Sequence, residues 1–350
     1  MIGIWYYARR QWISTFLIAG AAVWFVALRF YYWIKPSLPD LVRLRIRRWW
    51  AKRTHAQCTG GWPILESAGA APKGWSGWPD RQKFAFILMH DVESARGLGR
   101  VKQLAELEIS MGFRSSFNFI PEGSYRVSRE LRHWLIDRGF EVGVHDHRHD
   151  GRLYRSRSHF RVGASSINRY LKEWNAVGFR SAFMFHNLEW IHDLNIRYDA
   201  STFDSDPFEP QPDGARTIFP FWVNGRNGGG YMELPYTLVQ DSTLFVMLEE
   251  KTSEIWKRKV DWIASRGGMA MLNVHPDYVT FDGQQPEIDE FPMSYYTEFL
   301  AWVNRTYHGQ YWQSLPREVA DFCRKQMHHV ISGLVALDFV DFFFDLLLAL

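Results

Sequence analysis

Two carboxylates follow an apolar run early in the chain and could do chemistry together. The run Phe84–Met89 is followed by His90, Asp91 and, after one apolar residue, Glu93. In an extended chain, side chains two positions apart point the same way, so Asp91 and Glu93 project together while His90 faces elsewhere. Such a carboxylate pair can bind a cation or remove a proton from water. Acids also end strands for solubility, so a solvated strand end is the alternative.

Histidines cluster after a second apolar run. His145, His147 and His149 follow the run Phe140–Val144. His145 and His149 are four positions apart, so one helical turn after the strand would bring both imidazoles to one side, where they could bind a divalent metal. A solvated polar loop is the alternative interpretation.

Three later segments carry polar groups at strand-like positions. Gly178–Phe183 contains Arg180, an acidic segment spans Asp199–Asp206, and the apolar run Met269–Val274 ends in His275. Taken alone, a histidine at the end of a strand is more typical of a hydrogen-bonded core residue. The order of these segments along the chain is more informative than any one of them.

Apolar runs alternate with amphipathic helical patterns from residue 84 onward. The predicted strands are Phe84–Met89, Arg114–Ile120, Phe140–Val144, Phe179–Phe185, Tyr231–Pro235 and Met269–Val274. The predicted helices are Leu98–Met111, Phe160–Ala176, Ser253–Ser265 and Ser294–Thr306. Strands separated by helix-sized segments indicate βαβ units and a parallel sheet. A closed or partly closed α/β barrel would bring the polar strand ends together at one face.

In chain order, these five polar segments resemble the polysaccharide-deacetylase family, the carbohydrate esterases with NodB homology. The resemblance covers about residues 84–280, and its most specific element is the pair His145-x-x-x-His149. It implies a distorted parallel (β/α) barrel. It also implies a divalent metal, commonly zinc, held by one carboxylate and two histidines.

The resemblance also implies a role for each candidate site residue. Glu93, His145 and His149 match the metal ligands, and Asp91 matches the general base. Arg180 matches the arginine that tethers this base. The two acids are separated by one residue, as in some relatives, and the reverse assignment with Asp91 on the metal stays open.

The same resemblance supplies the groups that act on the scissile bond. His275 matches the histidine that protonates the leaving group, with Asp204 or Asp206 placed to orient it. The backbone N–H of Phe183 would hold the oxyanion together with the metal.

The chain departs from the family pattern at two positions. Asp146 stands where Ser or Thr is usual, and Ala182 stands where Pro is usual. We expect a hydrolase that removes acetyl groups from a polysaccharide or a lipid-linked sugar. Two alternatives stay open: a hydrolase of the same fold acting on a non-sugar amide, and a catalytically silent carbohydrate-binding protein of a polysaccharide-assembly complex.

The composition sets broader limits. The 350 residues are 47% hydrophobic and 23% charged, which is typical of a globular protein. The net charge is +3, and no basic tract interleaved with aromatics predicts a nucleic-acid partner. The two cysteines are too few for a disulfide framework, and the oligomeric state stays open.

The N-terminal region predicts a membrane anchor. Trp12–Ile34 is nearly unbroken in its apolar character, long enough to span a bilayer, and bounded by aromatic residues. Basic residues between positions 43 and 53 outnumber Arg9 and Arg10 before the span, which favours a cytoplasmic catalytic domain, although the opposite orientation stays open. We therefore expect an anchor helix over residues 1–35, a basic linker over 36–80, a catalytic domain over 81–328 and an apolar tail helix over 329–350.

Overall fold

The computed structural model describes residues 39–58, 61–211, 213–225, 229–281 and 283–326. The chain divides into two compact units, residues 1–50 and 51–350, and the sheet lies in the second. The expected anchor and the expected tail helix fall outside the described residues. Among the helices of the described ranges, none is both long enough and apolar enough to cross a membrane.

The second unit is built on a parallel sheet. Within the described residues its strands are, in chain order, β1 Phe84–Val92, β2 Ser116–Phe119, β3 Glu141–His145, β4 Gly178–Arg180, β5 Tyr198–Asp199, β6 Phe221–Asn224, β7 Gly230–Glu233 and β8 Met269–Asn273. Two short strands, β9 Val279–Thr280 and β10 Phe291–Pro292, form a separate pair, and β11 Tyr311–Gln313 returns to the main sheet.

The sheet curls into a distorted barrel. Its order is β8-β1-β2-β3-β4-β5-β7-β6, with β11 beside the first half of β1, and all neighbours are parallel except β6 and β7. The segment after β7 reaches round to β8, because the N–H of Leu238 donates to the carbonyl of Met271 at 3.0 Å. This α/β architecture with a curled parallel sheet is the one that the sequence predicted.

The described residues also form seven α-helices, most of which connect successive strands of the sheet. They are α1 Asp40–Gln57, α2 Ala95–Ser110, α3 Arg129–Ile136, α4 Arg157–Trp174, α5 Glu254–Arg266, α6 Ser294–Thr306 and a last helix over 316–326. Serine side chains cap three of these helices: Ser94, Ser128 and Ser156 accept hydrogen bonds from backbone N–H groups of the first turns of α2, α3 and α4. A π-helical turn, Ser242–Met247, precedes α5.

Strand β1 alternates between the interior of the barrel and its helical cover. Ala85, Ile87 and Met89 belong to the buried cluster that β5, β7 and β8 complete from the inside. Phe86, between them, packs against Phe299 of α6 on the outside. The same alternation turns Asp91 towards the barrel axis.

Two parts of the chain differ from the sequence-based expectation. The predicted strand Phe179–Phe185 ends at Arg180, and a short 3₁₀ turn, Ala182–Met184, follows it. Part of the expected linker packs on the barrel, since Trp78 is only 4% exposed and belongs to the same buried cluster.

Candidate active site

The parallel strands all end at one edge of the barrel, and polar side chains gather there. Asp91, Asn118, His145, Arg180 and Asn273 lie at or next to the last residues of β1, β2, β3, β4 and β8. All five are nearly fully buried. Burying polar groups costs free energy unless they are paired. Their concentration at the carboxyl ends of the barrel strands, where active sites are found in α/β barrels, therefore indicates a functional site.

Glu93, His145 and His149 form a compact group of potential metal ligands. One ligand atom from each lies within 4.8 Å of the other two. Oε1 of Glu93 is 3.0 Å from Nε2 of His149 and 4.0 Å from Nε2 of His145. Two imidazole nitrogens and a carboxylate oxygen are the donor set of open catalytic zinc sites.

The protonation of His145 suits metal binding. Its Nδ1 lies 3.1 Å from the carbonyl oxygen of Arg180, so this nitrogen donates its hydrogen there. Nε2 is then the free lone-pair atom, and it is buried without a hydrogen-bond partner among the described residues. A histidine fixed in this way by a backbone carbonyl is typical of metal sites, and the three residues fit a divalent metal ion.

The loop that carries His149 is not the helical turn expected from the spacing. Asp146 and His149 both have a φ of 56°, in the left-handed region, so the chain bends twice between the two histidines. Asp146 stabilises the first bend, because its carboxylate accepts the N–H of His147 and, at 3.3 Å, the N–H of Ala182. The rings of His145 and His149 end 5.0 Å apart. The proximity of the two rings was expected, but two residues in the left-handed region of φ produce it in place of a helical turn.

Asp91 is fixed by three side chains. Oδ1 accepts a hydrogen bond from Asn118 at 3.0 Å, and Oδ2 accepts from Arg180 at 2.5 Å and from Asn273 at 2.8 Å. Burial alone would raise the pKa of Asp91, but the Arg180 guanidinium and the neighbouring His145 hold it well below its usual range. Asp91 is therefore an ionised carboxylate with a defined orientation, paired with the arginine that the sequence predicted.

His275 faces the candidate metal ligands from β8, backed by an acid. Its Nε2 lies 3.8 Å from Oε1 of Glu93. Its Nδ1 lies 2.6 Å from Oδ1 of Asp241, and its backbone N–H donates to Oδ2 of the same carboxylate at 2.8 Å. Burial alone would lower the pKa of His275, but the Asp241 carboxylate raises it to about 10. The imidazole is therefore protonated at neutral pH.

The acid behind His275 differs from the expected one. Asp204 is bound to Nζ of Lys259 at 2.5 Å, with both side chains at most 2% exposed, and this pairing directs it away from the histidine. Asp206 lies 2.8 Å from the hydroxyl of Tyr236. The prediction that Asp204 or Asp206 orients His275 is wrong, because each acid is occupied by another buried partner.

Phe183 lies beside the candidate metal ligands. It has a φ of 56° within the turn after β4, and its ring centroid is 4.8 Å from that of His149. A non-glycine residue in the left-handed region is uncommon and is typical of functional turns. The turn therefore places the ring of Phe183 against that of His149.

Several site residues had not been identified from the sequence. Asn118 is a single polar residue between two phenylalanines of β2, and Asn273 shares with His275 the side of β8 that faces the barrel. A search for polar residues at alternate positions near strand ends would have found both. Asp241 could not be found in this way, because it follows an irregular segment after β7 and does not lie at the end of a strand. Tyr278, which the sequence suggested only as an aromatic face for a sugar ring, donates from its hydroxyl to Oε2 of Glu93 at 3.0 Å.

Two adjoining cavities lie beyond the loop that carries His149. The first, about 380 Å³, is lined by Gly151, two residues after His149, and by Trp190. The second, about 520 Å³, shares His186 and Asn187 with the first. Aromatic side chains line part of both cavities, and aromatic faces can stack on sugar rings.

The comparisons with known proteins concern the fold. No protein-family model matches the sequence, and no curated protein matches it. A solved structure from Mycobacterium smegmatis, described as a polysaccharide deacetylase, superposes with a TM-score of 0.57 at 16% identity, over 74% of this chain and 95% of that one. A peptidoglycan deacetylase from Bacillus subtilis gives 0.41 at 11% identity, over 73% and 98%. A CE4-family pseudoenzyme from Bacillus anthracis gives 0.39 at 11%, over 69% and 66%.

The likeness to the mycobacterial protein is sufficient to identify the architecture. It covers nearly the whole of that protein and about three quarters of this chain. The chain has the NodB-type fold of the polysaccharide deacetylases.

Proposed function

We propose that this protein is a metal-dependent hydrolase that removes acetyl groups from a polysaccharide or a lipid-linked sugar. The observation that carries the proposal is the group of Glu93, His145 and His149 at the functional edge of a polysaccharide-deacetylase fold, with an ionised acid on one side and a protonated histidine on the other. Fold alone does not determine function, so the proposal depends on these side chains.

Glu93, His145 and His149 would hold the metal, for which zinc is the first candidate. A divalent metal in such a site lowers the pKa of a water molecule and polarises the carbonyl of the substrate. The fixed tautomer of His145 and the hydrogen bond from Tyr278 to Glu93 orient two of the three ligands before any metal arrives.

Asp91 acts as the general base in this mechanism. Its two oxygens are oriented by Asn118, Arg180 and Asn273, so the carboxylate cannot rotate away from the site. Arg180 is itself held, because its Nη1 donates to the carbonyl of Ala200 at 2.7 Å. A carboxylate fixed in this way removes a proton from the attacking water without reorganisation.

His275 is the general acid that protonates the leaving nitrogen or oxygen. Asn273 has two amide hydrogens, which bond to Asp91 at 2.8 Å and to Gln240 at 2.9 Å. None is left for Nε2 of His275, so this nitrogen keeps its own hydrogen for the substrate. The backbone N–H of Phe183, across the site, would stabilise the negative charge on the carbonyl oxygen.

Membrane attachment is the second part of the proposal. Trp12–Ile34 would anchor the chain, and the basic residues between positions 43 and 53 would favour a cytoplasmic catalytic domain. Attachment would bring the site close to lipid-linked sugars.

The test is acetate release by the full chain from an N-acetylated chitooligosaccharide and from acetylated xylan. We expect release that stops with a chelator, returns with Zn²⁺, and is lost in Asp91→Asn. A chain that binds a stoichiometric metal but releases acetate from neither substrate would contradict the proposal. A chain that binds no metal would instead indicate a silent carbohydrate-binding protein.

A further inference from the structure

A loop that carries Glu209, a residue with no role in the family resemblance, reaches back towards the active site. The described residues 205–211 and 213–214, here named the 205–214 loop, leave and re-enter the barrel at neighbouring points. The N–H of Ala215 donates to the carbonyl of Phe203 at 2.7 Å, and the N–H of Arg216 donates to that of Asp204 at 3.1 Å. The two ends of the loop are therefore held together against the barrel.

The first half of this loop is held in place by side chains. Oδ1 of Asp206 accepts the N–H of Phe208 at 2.9 Å, which closes a tight turn. The ring of Phe208 packs edge-on against Trp62, with centroids 5.3 Å apart. These contacts fix the position of the next residue, Glu209.

The carboxylate of Glu209 is tied to the active site through two amide side chains. Its Oε1 accepts from Nε2 of Gln240 at 2.5 Å. Oε1 of Gln240 accepts from Asn273 at 2.9 Å, and Asn273 in turn donates to Asp91 at 2.8 Å. Glu209 is thus connected to the candidate general base through Gln240 and Asn273.

Glu209 and Asp206 form a pair of buried acids that share Tyr236. The single hydrogen of the Tyr236 hydroxyl has two acids within reach, Glu209 at 2.7 Å and Asp206 at 2.8 Å. Burial first, and then the charge of Glu209, raise the pKa of Asp206 to about 8. Burial raises the pKa of Glu209 as well, but the hydrogen bonds from Tyr236 and Gln240 lower it.

One oxygen of Glu209 is left over. Both hydrogen bonds that Glu209 makes within the described residues go to Oε1. The side chain is half-buried, and it feels the charges of Arg180 and His275, which belong to the active site. Oε2 therefore makes no hydrogen bond within the described residues, while the two bonds at Oε1 hold the carboxylate in position.

We propose that Glu209 is a substrate-binding residue whose Oε2 accepts a hydrogen bond from a hydroxyl group of the sugar ring that carries the acetyl group. A carboxylate only accepts hydrogen bonds, and sugar hydroxyls are donors, so the pairing is chemically matched. The same charge would disfavour a sugar with an acidic substituent at that position. This inference rests on the proposed function and adds to it the residue that distinguishes a sugar from a small acetyl ester.

Glu209→Gln tests the inference with the change of one atom. Glutamine keeps the Oε1 acceptor for Tyr236 and Gln240, and it replaces Oε2 by a donor. The KM for an N-acetylated chitooligosaccharide should rise about 10- to 100-fold, the value of one charge-assisted hydrogen bond, with kcat unchanged. Hydrolysis of 4-nitrophenyl acetate, which has no sugar hydroxyl, should fall far less than hydrolysis of the chitooligosaccharide, and the metal content should match that of the wild type.

Glu66→Gln is the matched control, because Glu66 is an exposed acid paired with Arg266 away from the site. This variant should hydrolyse both substrates with the kinetic constants of the wild type. An equal loss on both substrates in Glu209→Gln, or no change on either, would overturn the inference.

Binding measurements keep the inference testable even where the enzymatic proposal fails. Isothermal titration of the metal-loaded full chain with the same chitooligosaccharide should give at least tenfold weaker binding for Glu209→Gln. Weaker binding without acetate release from the wild type would support Glu209 as a sugar-binding residue and count only against the proposed hydrolysis. Equal affinities, or no binding by the wild type, would overturn the role of Glu209.

Discussion

The carboxylate of Asp241 binds His275 twice, once at Nδ1 at 2.6 Å and once at the backbone N–H at 2.8 Å. The first contact sets the charge of the imidazole and the second sets its position. Because one residue does both, a substitution that removes only the charge can separate the two effects.

Asp241→Asn should shift the alkaline limb of the kcat/KM profile to lower pH. In the wild type the pKa of His275 is raised to about 10, so the acid form is lost only as the pH rises through that value. Without the Asp241 charge, burial lowers the pKa of His275, and activity at pH 8 should fall about 10²-fold. A pH profile of acetate release checks this. An unchanged alkaline limb would mean that His275 is not the proton donor.

His149→Ala should remove the bound metal. Its Nε2 lies 3.0 Å from Oε1 of Glu93 within the candidate ligand group. His147→Ala is the control, because His147 faces Glu122, at 3.0 Å, instead of the ligand group. Metal analysis of the purified full chain should show near-stoichiometric zinc in the control and at least a tenfold lower content in His149→Ala. Equal metal content in both variants would exclude His149 as a ligand.

The site residues at the strand ends could be predicted from the sequence more readily than the side chains that hydrogen-bond to them. Asp91, His145, Arg180 and His275 follow apolar runs, so their strands could be located from the sequence, and parallel strands had to bring them to one edge. The partner of His275 could not be found in this way, because Asp241 lies in irregular chain whose position depends on how the barrel closes after β7.

The wrong assignment of Asp204 has a related cause. Its partner Lys259 lies on α5, 55 residues further along the chain. In the folded chain Lys259 is 1% exposed, and this long-range pair removes Asp204 from the active site. Such pairings depend on tertiary packing and leave no local signal.

Gly143→Ala should disturb the active site by displacing Asn118, which binds Asp91. Gly143 on β3 pairs with Asn118 on β2, and a Cβ there would lie 2.1 Å from Oδ1 of Asn118. Asn118 cannot move without loosening its hydrogen bond to Asp91. We expect a loss of about 1–3 kcal/mol in the free energy of unfolding and a fall in kcat on the order of 10²-fold.

Gly99→Ala is the control for this change. A Cβ at Gly99 on α2 meets nothing within 4 Å, so alanine should stabilise the helix by about 0.5–1 kcal/mol and leave kcat unchanged. Urea unfolding and acetate release measure both quantities. Equal kcat values in the two variants would show that the position of Asn118 is unimportant for catalysis.

Glu141→Gln should remove part of the pH dependence of stability. Glu141 is buried at the start of β3, where it accepts from the hydroxyl of Tyr198 at 3.0 Å and from the N–H of Arg317 at 3.1 Å. Burial raises its pKa from 4.5 to about 7. The folded chain therefore keeps this proton more tightly than the unfolded chain, and stability falls as the pH rises from about 4.5 to 7.

The size of this effect follows from the shift in the pKa of Glu141. The free energy of unfolding falls by at most about 3 kcal/mol, and this fall levels off above pH 7. The difference between the free energies of unfolding of the variant and the wild type should therefore grow in favour of glutamine from pH 5 to pH 8. A constant difference would show that Glu141 does not titrate in this range.

Removal of residues 1–53 should release the protein from membranes. The full chain should sediment with membranes and need detergent, whereas a chain that begins at residue 54 should stay in the supernatant. The apolar length of Trp12–Ile34 is the reason for this expectation. A full chain that remains soluble without detergent would contradict the anchor.

The alternation of β1 limits how this segment can change during evolution. His90 binds Glu108 on α2 at 2.9 Å, while its neighbour Asp91 faces the barrel axis. Deletion of one residue between Phe84 and Met89 would exchange these two directions, placing Asp91 against the Glu108 carboxylate and His90 inside the barrel. Substitutions that preserve volume can accumulate in this strand, but insertions and deletions cannot. Variation in chain length among descendants of this sequence should therefore fall in connections such as the 205–214 loop and never within β1.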